Sequence, residues 1–501
     1  MIFQKIGYSV LGGEGYMEEN YPNWLSKQML LGVRRFDIDS YLVALEGWRR
    51  GLALKYYYDP SSVTNLKIIG FDQIGKTFSL ESNKKRHYFY RTRGDKVSNE
   101  ATEIGTDKAR TKQYLAEKGI STPGGFTFNR ETEVSDVVEK AFKLGFPLVL
   151  KPTFGSLGKG VVTGIQTEDE LKNSITYVLS EFDYEEFIIE RHIEGEDLRL
   201  YVIEDQVVGA IKRIPANVTG DGHHTIGELI DQKNDLRKNN PHTSTRLIKK
   251  DIALKNYLTQ QGLNLDNILD KDKTIYLKGQ SNISSGGDSI DVTDKLTDTI
   301  RDIAIQVIKA IPGLHHAGLD LVVNKDLDSA SIIEINTTAG ISLHTFPLYG
   351  KPRNVAEKIV DYYFPETKGV AENSKTIYFD YKNILELLRS HSLKQLEVTN
   401  APVGKLYAKR YVISGKVQKV GYRKWIRKQA IAKGLHGYTR NLNNGKVVIV
   451  VGAVDKGAVD GFKQVCYEGP SKAEVEDIQE YLWDKQIKVG FEIRKSLKKK
   501  H

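Results

Sequence analysis

Apolar positions change period several times along the chain, and each change predicts a different element. From Asp39 to Leu54 they recur at helical spacing, so an amphipathic helix is expected inside a first region, 1–105, of mixed helix-like and strand-like runs. From Thr77 the period drops to two: Phe78 and Leu80 alternate with Thr77 and Ser79, Ser82 and Asn83 signal a turn, and His87 to Tyr90 resume a β-like run. A second region, 106–366, alternates short strands with helices. Asp107 to Gly119 reads as a helix stopped by glycine, and "FPLVLKP" and "VVTGI" read as strands around a glycine-rich stretch. "LRLYVIEDQVVGAIKRI" and "LDLVVNKDLDSASIIEIN" read as hairpins turning at Glu204–Gln206 and near Asp326–Ser329. Residues 367–404 hold one short strand, "TIYFDY", and one helix, "NILELLRSH", and are taken as a linker. In the last region, 405–497, the order is strand, helix, two strands, helix, strand. The fold class expected is α/β and α+β, multidomain.

Composition narrows this picture. The 501 residues are 40% apolar and 27% charged, as in ordinary globular proteins, and leave room for three or four domains. A net charge of +9 suits nucleotides, phosphates and other acidic ligands. Part of it sits in the tail "RKSLKKKH", read as a solvated terminus. The single Cys466 falls with Val459, Phe462 and Val465 at helical spacing, so it is read as a core residue, and no disulfide framework exists. No apolar run approaches 18 residues and the N-terminus lacks signal-peptide character, so a cytoplasmic location without a membrane partner is expected.

Two glycine-rich stretches compete for a nucleotide. Gly70 to Thr77 satisfies the P-loop pattern, but a P-loop must open a helix, and the run after Thr77 alternates like a strand. "KPTFGSLGKGV" supplies what phosphate oxygens need from a loop between strands: Lys151 and Lys159 for charge, and Gly155, Gly158 and Gly160 for close backbone approach. Such turns also occur for structural reasons alone. Glu190 and Asp197, at and beyond a strand end, suit ribose hydroxyls or an adenine amino group. Asp320, Glu334 and Asn336 fall on neighbouring strands, the last two on one face; such oxygens suit Mg²⁺, although a carboxylate there is as readily satisfied by Lys or Arg.

In order and in detail these elements resemble the ATP-grasp superfamily of carboxylate-amine ligases over about residues 106–350. "TDKARTKQYLAEKGISTP" is similar to the family's first helix, "KPTFGSLGKGV" to its phosphate lid and "IIEIN" to its metal strand. "NVTGDGHHTIGELI" and "SNISSGGDSIDVTD" resemble segments shared by cyanophycin synthetases and the glutathione-synthetase half of the bifunctional bacterial enzyme. The resemblance implies an ATP-grasp fold with Lys108 and Lys151 on ATP phosphates, Glu190 and Ile193 at the adenine hinge, and Asp197 on ribose. It also implies Arg213 near the transferred phosphoryl group and Asp320, Glu334 and Asn336 on Mg²⁺, with Mn²⁺ as the alternative metal. The substrates implied are ATP, an amino acid or peptide carboxylate, and an amine. Neither the Mur-ligase-like half of cyanophycin synthetase nor a glutamate-cysteine ligase half is recognisable, so the acid and amine stay open. "SSGG" is either a substrate loop or a plain turn, and Arg213 and Lys278 are cations suited to acidic substrates. His344, after the metal strand, is a substrate-contact candidate; the adjacent pairs His223–His224 and His315–His316 do not share a face as metal ligands would.

Residues 405–495 carry "GKVQKVGYR" ahead of a helix with Tyr422, Ile426 and Ala430 on one face, and an Arg at a helix N-terminus is a phosphate cradle in the making. With "GYTRNLNNGKVVIVVGA" and "GPSKAEV", this stretch resembles acylphosphatases, which implies a ferredoxin-like βαββαβ sandwich, Arg423 on the phosphate of an acyl phosphate, and Asn441 orienting the attacking water. Lys419 stands where that loop usually has glycine: it strains a cradle that needs positive φ, or lends it charge. One half would make an acyl phosphate and the other hydrolyse it, as an editing step. The alternatives are an acylphosphatase beside a nucleotide-binding domain, or a basic scaffold for phosphate or nucleic acid, the latter disfavoured by the intact charges at Lys151, Asp320, Glu334 and Arg423. A homodimer is the default expectation for assembly.

Overall fold

The computed structural model describes residues 21–59, 63, 66–68, 74–155, 159–370 and 375–496. Its described residues divide into two compact units, the larger mainly 92–358 and the smaller drawn from 21–63, 74–91 and 359–496.

Two sheets organise the larger unit. In the first, neighbouring strands run antiparallel in the order Asp288–Asp291, Gln206–Ile214, Glu196–Ile203, His316–Val323, Ala330–Asn336. Both hairpins read from the sequence are present here, turning after Ile203 and Val323. Period-two alternation sends Leu198, Leu200 and Val202 into a core with Leu319 and Leu321, closed by Ile300, Ala304 and Val307 of the helix Asp298–Ala310. Asp197, Arg199 and Tyr201 therefore take the opposite face, which becomes the polar one. The second sheet has the order Gly125–Asn129, Glu186–Arg191, Leu148–Pro152, Val162–Ile165. The helices Val134–Leu144 and Glu168–Glu181 bury Val137, Ala141, Leu171 and Ile175 against it.

The smaller unit gathers distant segments. The strands Gln395–Val398, Ala53–Tyr57, Thr77–Glu81 and Arg86–Tyr90 pair antiparallel in that order. Thr77 thus opens a strand and not a helix, in keeping with the rejection of a P-loop; Gly70 lies outside the described residues. The helical period at Asp39–Leu54 resolves into a helix, Phe36–Arg49, and the start of the strand Ala53–Tyr57. That helix is buried from Ile38 to Arg49 and so is covered all round, not amphipathic. Tyr41 and Trp48 meet Phe379, and the wholly buried Arg49 donates to the carbonyls of Trp24, Lys375 and Ile377. Residues 367–404, expected as a linker, supply both Phe379 and the edge strand Gln395–Val398, together with the helix Tyr381–Arg389, which buries Ile384, Leu385 and Leu388.

The last 90 or so residues of the described chain fold as the βαββαβ pattern requires, with strands Tyr407–Lys416, His436–Asn441, Val447–Ala453 and Glu474–Leu482 and helices Tyr422–Ala432 and Lys456–Glu468. Sheet order is Glu474–Leu482, Tyr407–Lys416, Val447–Ala453, His436–Asn441, the ferredoxin-like arrangement, extended by Phe491–Ile493 parallel to His436–Asn441. Tyr422, Ile426 and Ala430 pack with Val459, Phe462 and Cys466 over one face, as their spacing predicts. Among the described residues no helix is long and apolar enough to cross a membrane.

If the 381–389 helix is core and not tether, Leu388→Ala lowers stability by about 3 kcal/mol, the usual cost of a buried leucine truncation. Denaturant unfolding of the full chain checks this; a loss within about 0.5 kcal/mol is what an exposed tether would give.

Candidate active sites

The first site is assembled where the two sheets of the larger unit present charge. Asp107 caps the helix Lys108–Glu117 by accepting from the backbone N–H of Ala109 and Arg110. The cap fixes Lys108 at the first turn, where its Nζ lies 3.5 Å from the carbonyl of Thr153 and 3.4 Å from that of Gly155. Lys151, inward-facing on Leu148–Pro152, meets Glu190 of the adjacent strand at 2.5 Å. Lys112, one helical turn after Lys108, reaches the other oxygen of Glu190 at 2.7 Å. Burial pulls Lys108 and Lys112 below the usual lysine range, against the attraction of nearby carboxylates.

Between Leu148–Pro152 and Val162–Ile165 the glycine-rich loop turns through Gly155 at φ 149° and Gly160 at φ 69°, both beside Pro152 and the Tyr184 ring. Gly158 lies outside the described residues, and Lys159 is exposed. Ile193 is half-buried in the connection that follows Glu186–Arg191.

On the polar face of the first sheet, Asp320 and Glu334 sit directly opposite each other on paired strands, and Asn336 faces Gly318 two pairs along. Asp320 accepts from Arg199 Nε at 2.5 Å and Nη2 at 2.7 Å, and from Arg213 Nη1 at 3.2 Å. Arg213 also holds Asp197 at 3.0 Å, while its own Nε is buried without a hydrogen-bond partner. Burial raises the Asp320 carboxyl, but Arg199 and Arg213 outweigh it and hold the group below the ordinary carboxylate range. Glu334 goes the other way: burial first, then Asp320, push it up, and Lys108 only partly offsets them. Two carboxylates and an amide oxygen, one carboxylate uncompensated, form a hard oxygen set that fits a small divalent cation. Among the described residues no cluster of three His, Cys, Asp or Glu side chains forms a metal site by itself.

Lys108, Lys151, Glu190, Asp197, Arg213, Asp320 and Glu334 are thus linked by contact or by mutual charge. Lys112 and Arg199 belong with them and were not singled out from sequence, although Lys108 and Lys112 have i,i+4 spacing and Asp197 and Arg199 share a strand face. His344 is not available as a substrate contact: it is wholly buried beside Gly209 and Tyr201, both ring nitrogens lack partners, and burial lowers its pKa to about 3. "SSGG" is a turn, with Gly286 at φ 106° and Gly287 tight against the Ile214 carbonyl. The two segments around it meet through buried charge, Asp288 binding Asn217 at 2.9 Å and Lys233 at 2.6 Å.

The second site lies at the N-terminus of Tyr422–Ala432. Gly421 is the N-cap at φ 83° and offers no side-chain cap, so the first-turn N–H groups stay open for an anion. Arg423 projects from that turn, half-buried. Gln418 donates to the carbonyls of Leu442 and Lys446, both at 2.9 Å, and so ties the loop to the end of His436–Asn441. There Asn441 keeps a buried Oδ1 with no partner. Lys419 adopts φ 62°, the left-handed conformation that its glycine-like position requires.

Comparison with known proteins agrees with this division. Residues 105–223 match the RimK-like ATP-grasp domain family, and residues 409–493 match the acylphosphatase family. The chain therefore carries an ATP-grasp domain and a C-terminal acylphosphatase domain. It is 35% identical to a cyanophycin synthetase of Synechocystis over 271 residues, 52% of this chain and 31% of that protein. It is 30% identical to a glutathione biosynthesis bifunctional protein of Desulfotalea psychrophila over 354 residues, 69% of this chain and 45% of that one. The chain thus spans less than half the length of these relatives. A bifunctional glutathione synthetase structure from Pasteurella multocida matches at 27% identity and TM-score 0.46, covering 58% of this chain and 41% of that one. An acylphosphatase structure from Coxiella burnetii matches at 27% identity and TM-score 0.17, covering 18% of this chain and 93% of that one.

Because Glu334 holds its proton more tightly folded than unfolded, its contribution favours the fold below the ordinary carboxylate range and is lost as pH rises through its raised folded pKa. Ligand-free Glu334→Gln is expected to melt a few degrees above the parent at pH 8 and together with it near pH 4. Thermal unfolding at both pH values checks this, and an equal or lower melting point at pH 8 counts against it.

Proposed function

We propose that the chain is an ADP-forming carboxylate-amine ligase whose C-terminal domain hydrolyses acyl phosphates. The observation that carries the first part is the convergence of Lys108 and Lys151 with the carboxylate pair Asp320 and Glu334 on one buried, charged surface. A carboxylate is a poor acylating agent because its leaving group is oxide; accepting the γ-phosphoryl group of ATP makes that leaving group phosphate. The protein's share of such a transfer is positioning and charge neutralisation. In this reading Lys108, Lys151 and the loop N–H groups from Gly155 to Gly160 hold the phosphates, with Lys159 folding over them. Glu190 and Ile193 bind the adenine and Asp197 the ribose, and Arg213 faces the phosphoryl group in flight. Asp320, Glu334 and Asn336 are the residues that would hold Mg²⁺, whose bound charge neutralises the phosphate oxygens. An amine then displaces phosphate and forms the amide. The acid is an amino acid or peptide carboxylate by analogy with the relatives.

For the second part, Arg423 and the open helix turn bind the phosphoryl group and Asn441 orients water. Water attacks phosphorus and the bond to the acyl oxygen breaks, releasing carboxylate, inorganic phosphate and one proton. Acting on an acyl phosphate that no amine has captured, this domain serves as an editing step.

Purified protein with Mg²⁺-ATP and a panel of amino acids and short peptides is expected to release ADP only with a particular acid and amine, and mass analysis to show their amide. Glu334→Gln abolishes this release. Arg423→Ala lowers benzoyl phosphate hydrolysis by about 100-fold or more and reduces the ADP released per amide formed. ADP release indifferent to acid and amine would defeat the ligase reading, and unchanged hydrolysis in Arg423→Ala the hydrolase one.

A further inference from the structure

Resting on the reading of the C-terminal domain as an acyl phosphate hydrolase, we propose that Lys419 makes it selective for acyl phosphates whose acyl group carries a second negative charge, such as a free carboxylate.

The phosphoryl group is already provided for. Arg423 and the uncapped first turn of Tyr422–Ala432 offer it one full positive charge and several backbone donors. Lys419 adds a further cation to the same loop at a conformational cost: φ 62° is a left-handed conformation that strains a non-glycine residue and not glycine. Among the described residues no carboxylate pairs with the extra charge. The neighbouring Lys416 is engaged by Glu474 at 3.1 Å, and Lys409 by Asp460 at 2.7 Å. Lys419 and Arg423, in contrast, make no ion pair or side-chain hydrogen bond with any described residue.

Their exposure differs. Arg423, in the first turn of the helix, is half-buried, and Lys419 is exposed. A phosphoryl group seated on the helix end projects its acyl portion outward, toward the rim. A cation at that rim meets the acyl group and not the phosphate. The partner chemistry this selects is a carboxylate on the acyl chain, as an acidic amino acid or another dicarboxylic acid has after one carboxyl is phosphorylated. Exposed pairs of this kind change affinity by a few-fold and weaken with salt.

The test compares benzoyl phosphate with 4-carboxybenzoyl phosphate, which differ by one remote carboxylate. Each variant's own benzoyl phosphate rate serves as its reference. At low salt the parent chain is expected to favour the carboxylated substrate by about 3–5-fold in kcat/KM. Lys419→Gln brings that ratio to about 1, and Lys419→Arg keeps it. A parent ratio at or below 1, or a ratio unaltered in Lys419→Gln, overturns the proposal. Should the parent hydrolyse neither compound, the hydrolase reading fails. The corresponding non-hydrolysable acyl phosphonates, titrated calorimetrically against the same three proteins, then decide the selectivity by the same ratio.

Discussion

Burying charge on one face of a sheet is the constraint from which the larger unit takes its form. A carboxylate removed from water must find cations or surrender its charge, and Asp320 does the first while Glu334 is pushed toward the second. The apolar half of each strand makes this arrangement rigid. Leu198, Leu200, Leu319 and Leu321 hold the register from below, so Arg199, Asp320 and Glu334 have no freedom to separate above. The same register sets Arg213 between Asp197 and Asp320, close to both. Without ligand the cluster is compensated internally, with one carboxylate left over. On the proposed reading, that surplus is the charge a divalent cation would offset, and the charge of Lys108 and Lys151 is what a polyphosphate would offset.

Backbone geometry carries the rest. Gly155 passes close over Pro152 and Tyr184, which a side chain there would crowd, and Gly160 holds a left-handed φ of 69° that a side chain would strain. In the C-terminal domain Gly437 runs so near the Val450 carbonyl that a Cβ there would lie 2.0 Å from it, which fixes the pairing that presents Asn441 at the strand end. Where Lys419 replaces the expected glycine the chain keeps the left-handed turn and bears the strain. The loop conformation is therefore imposed by its surroundings, chiefly the Gln418 bridge to Leu442 and Lys446 and the buried Tyr422.

Legibility in the sequence followed the distance over which each feature is decided. The hairpins at 196–214 and 316–336 and the βαββαβ order after 405 depend on local period and turn residues, and both stand in the structure as read. The Asp39–Leu54 stretch was legible as helical in period, but not in burial, because its second covering comes from residues near 379. The role of 367–404 was hidden for the same reason: the pairing of Leu54 with Val398 joins strands more than 300 residues apart. At the candidate site, the charged residues singled out by their motifs lie near one another, whereas Lys112 and Arg199, which pair with Glu190 and Asp320, carry no motif and show only through the partner they meet. His344 shows the converse, a residue whose chemistry suggested contact with substrate and whose packing removes it from solvent.

The two candidate sites compensate their cations in opposite ways, and the difference follows from burial. In the larger unit the cations are desolvated, and most are met by a carboxylate, Lys112 and Lys151 by Glu190 and Arg199 and Arg213 by Asp320, while Lys108 lies on the carbonyls of Thr153 and Gly155. A ligand there has to replace existing ion pairs, which a single phosphate does poorly and a polyphosphate arriving with its cation does well. In the C-terminal domain Arg423 and Lys419 remain in contact with water and need no internal counter-charge. A lone phosphoryl group displaces only solvent. The first surface is therefore suited to a nucleotide, held while a phosphoryl group is passed on, and the second to a small phosphorylated species that must enter, react and leave.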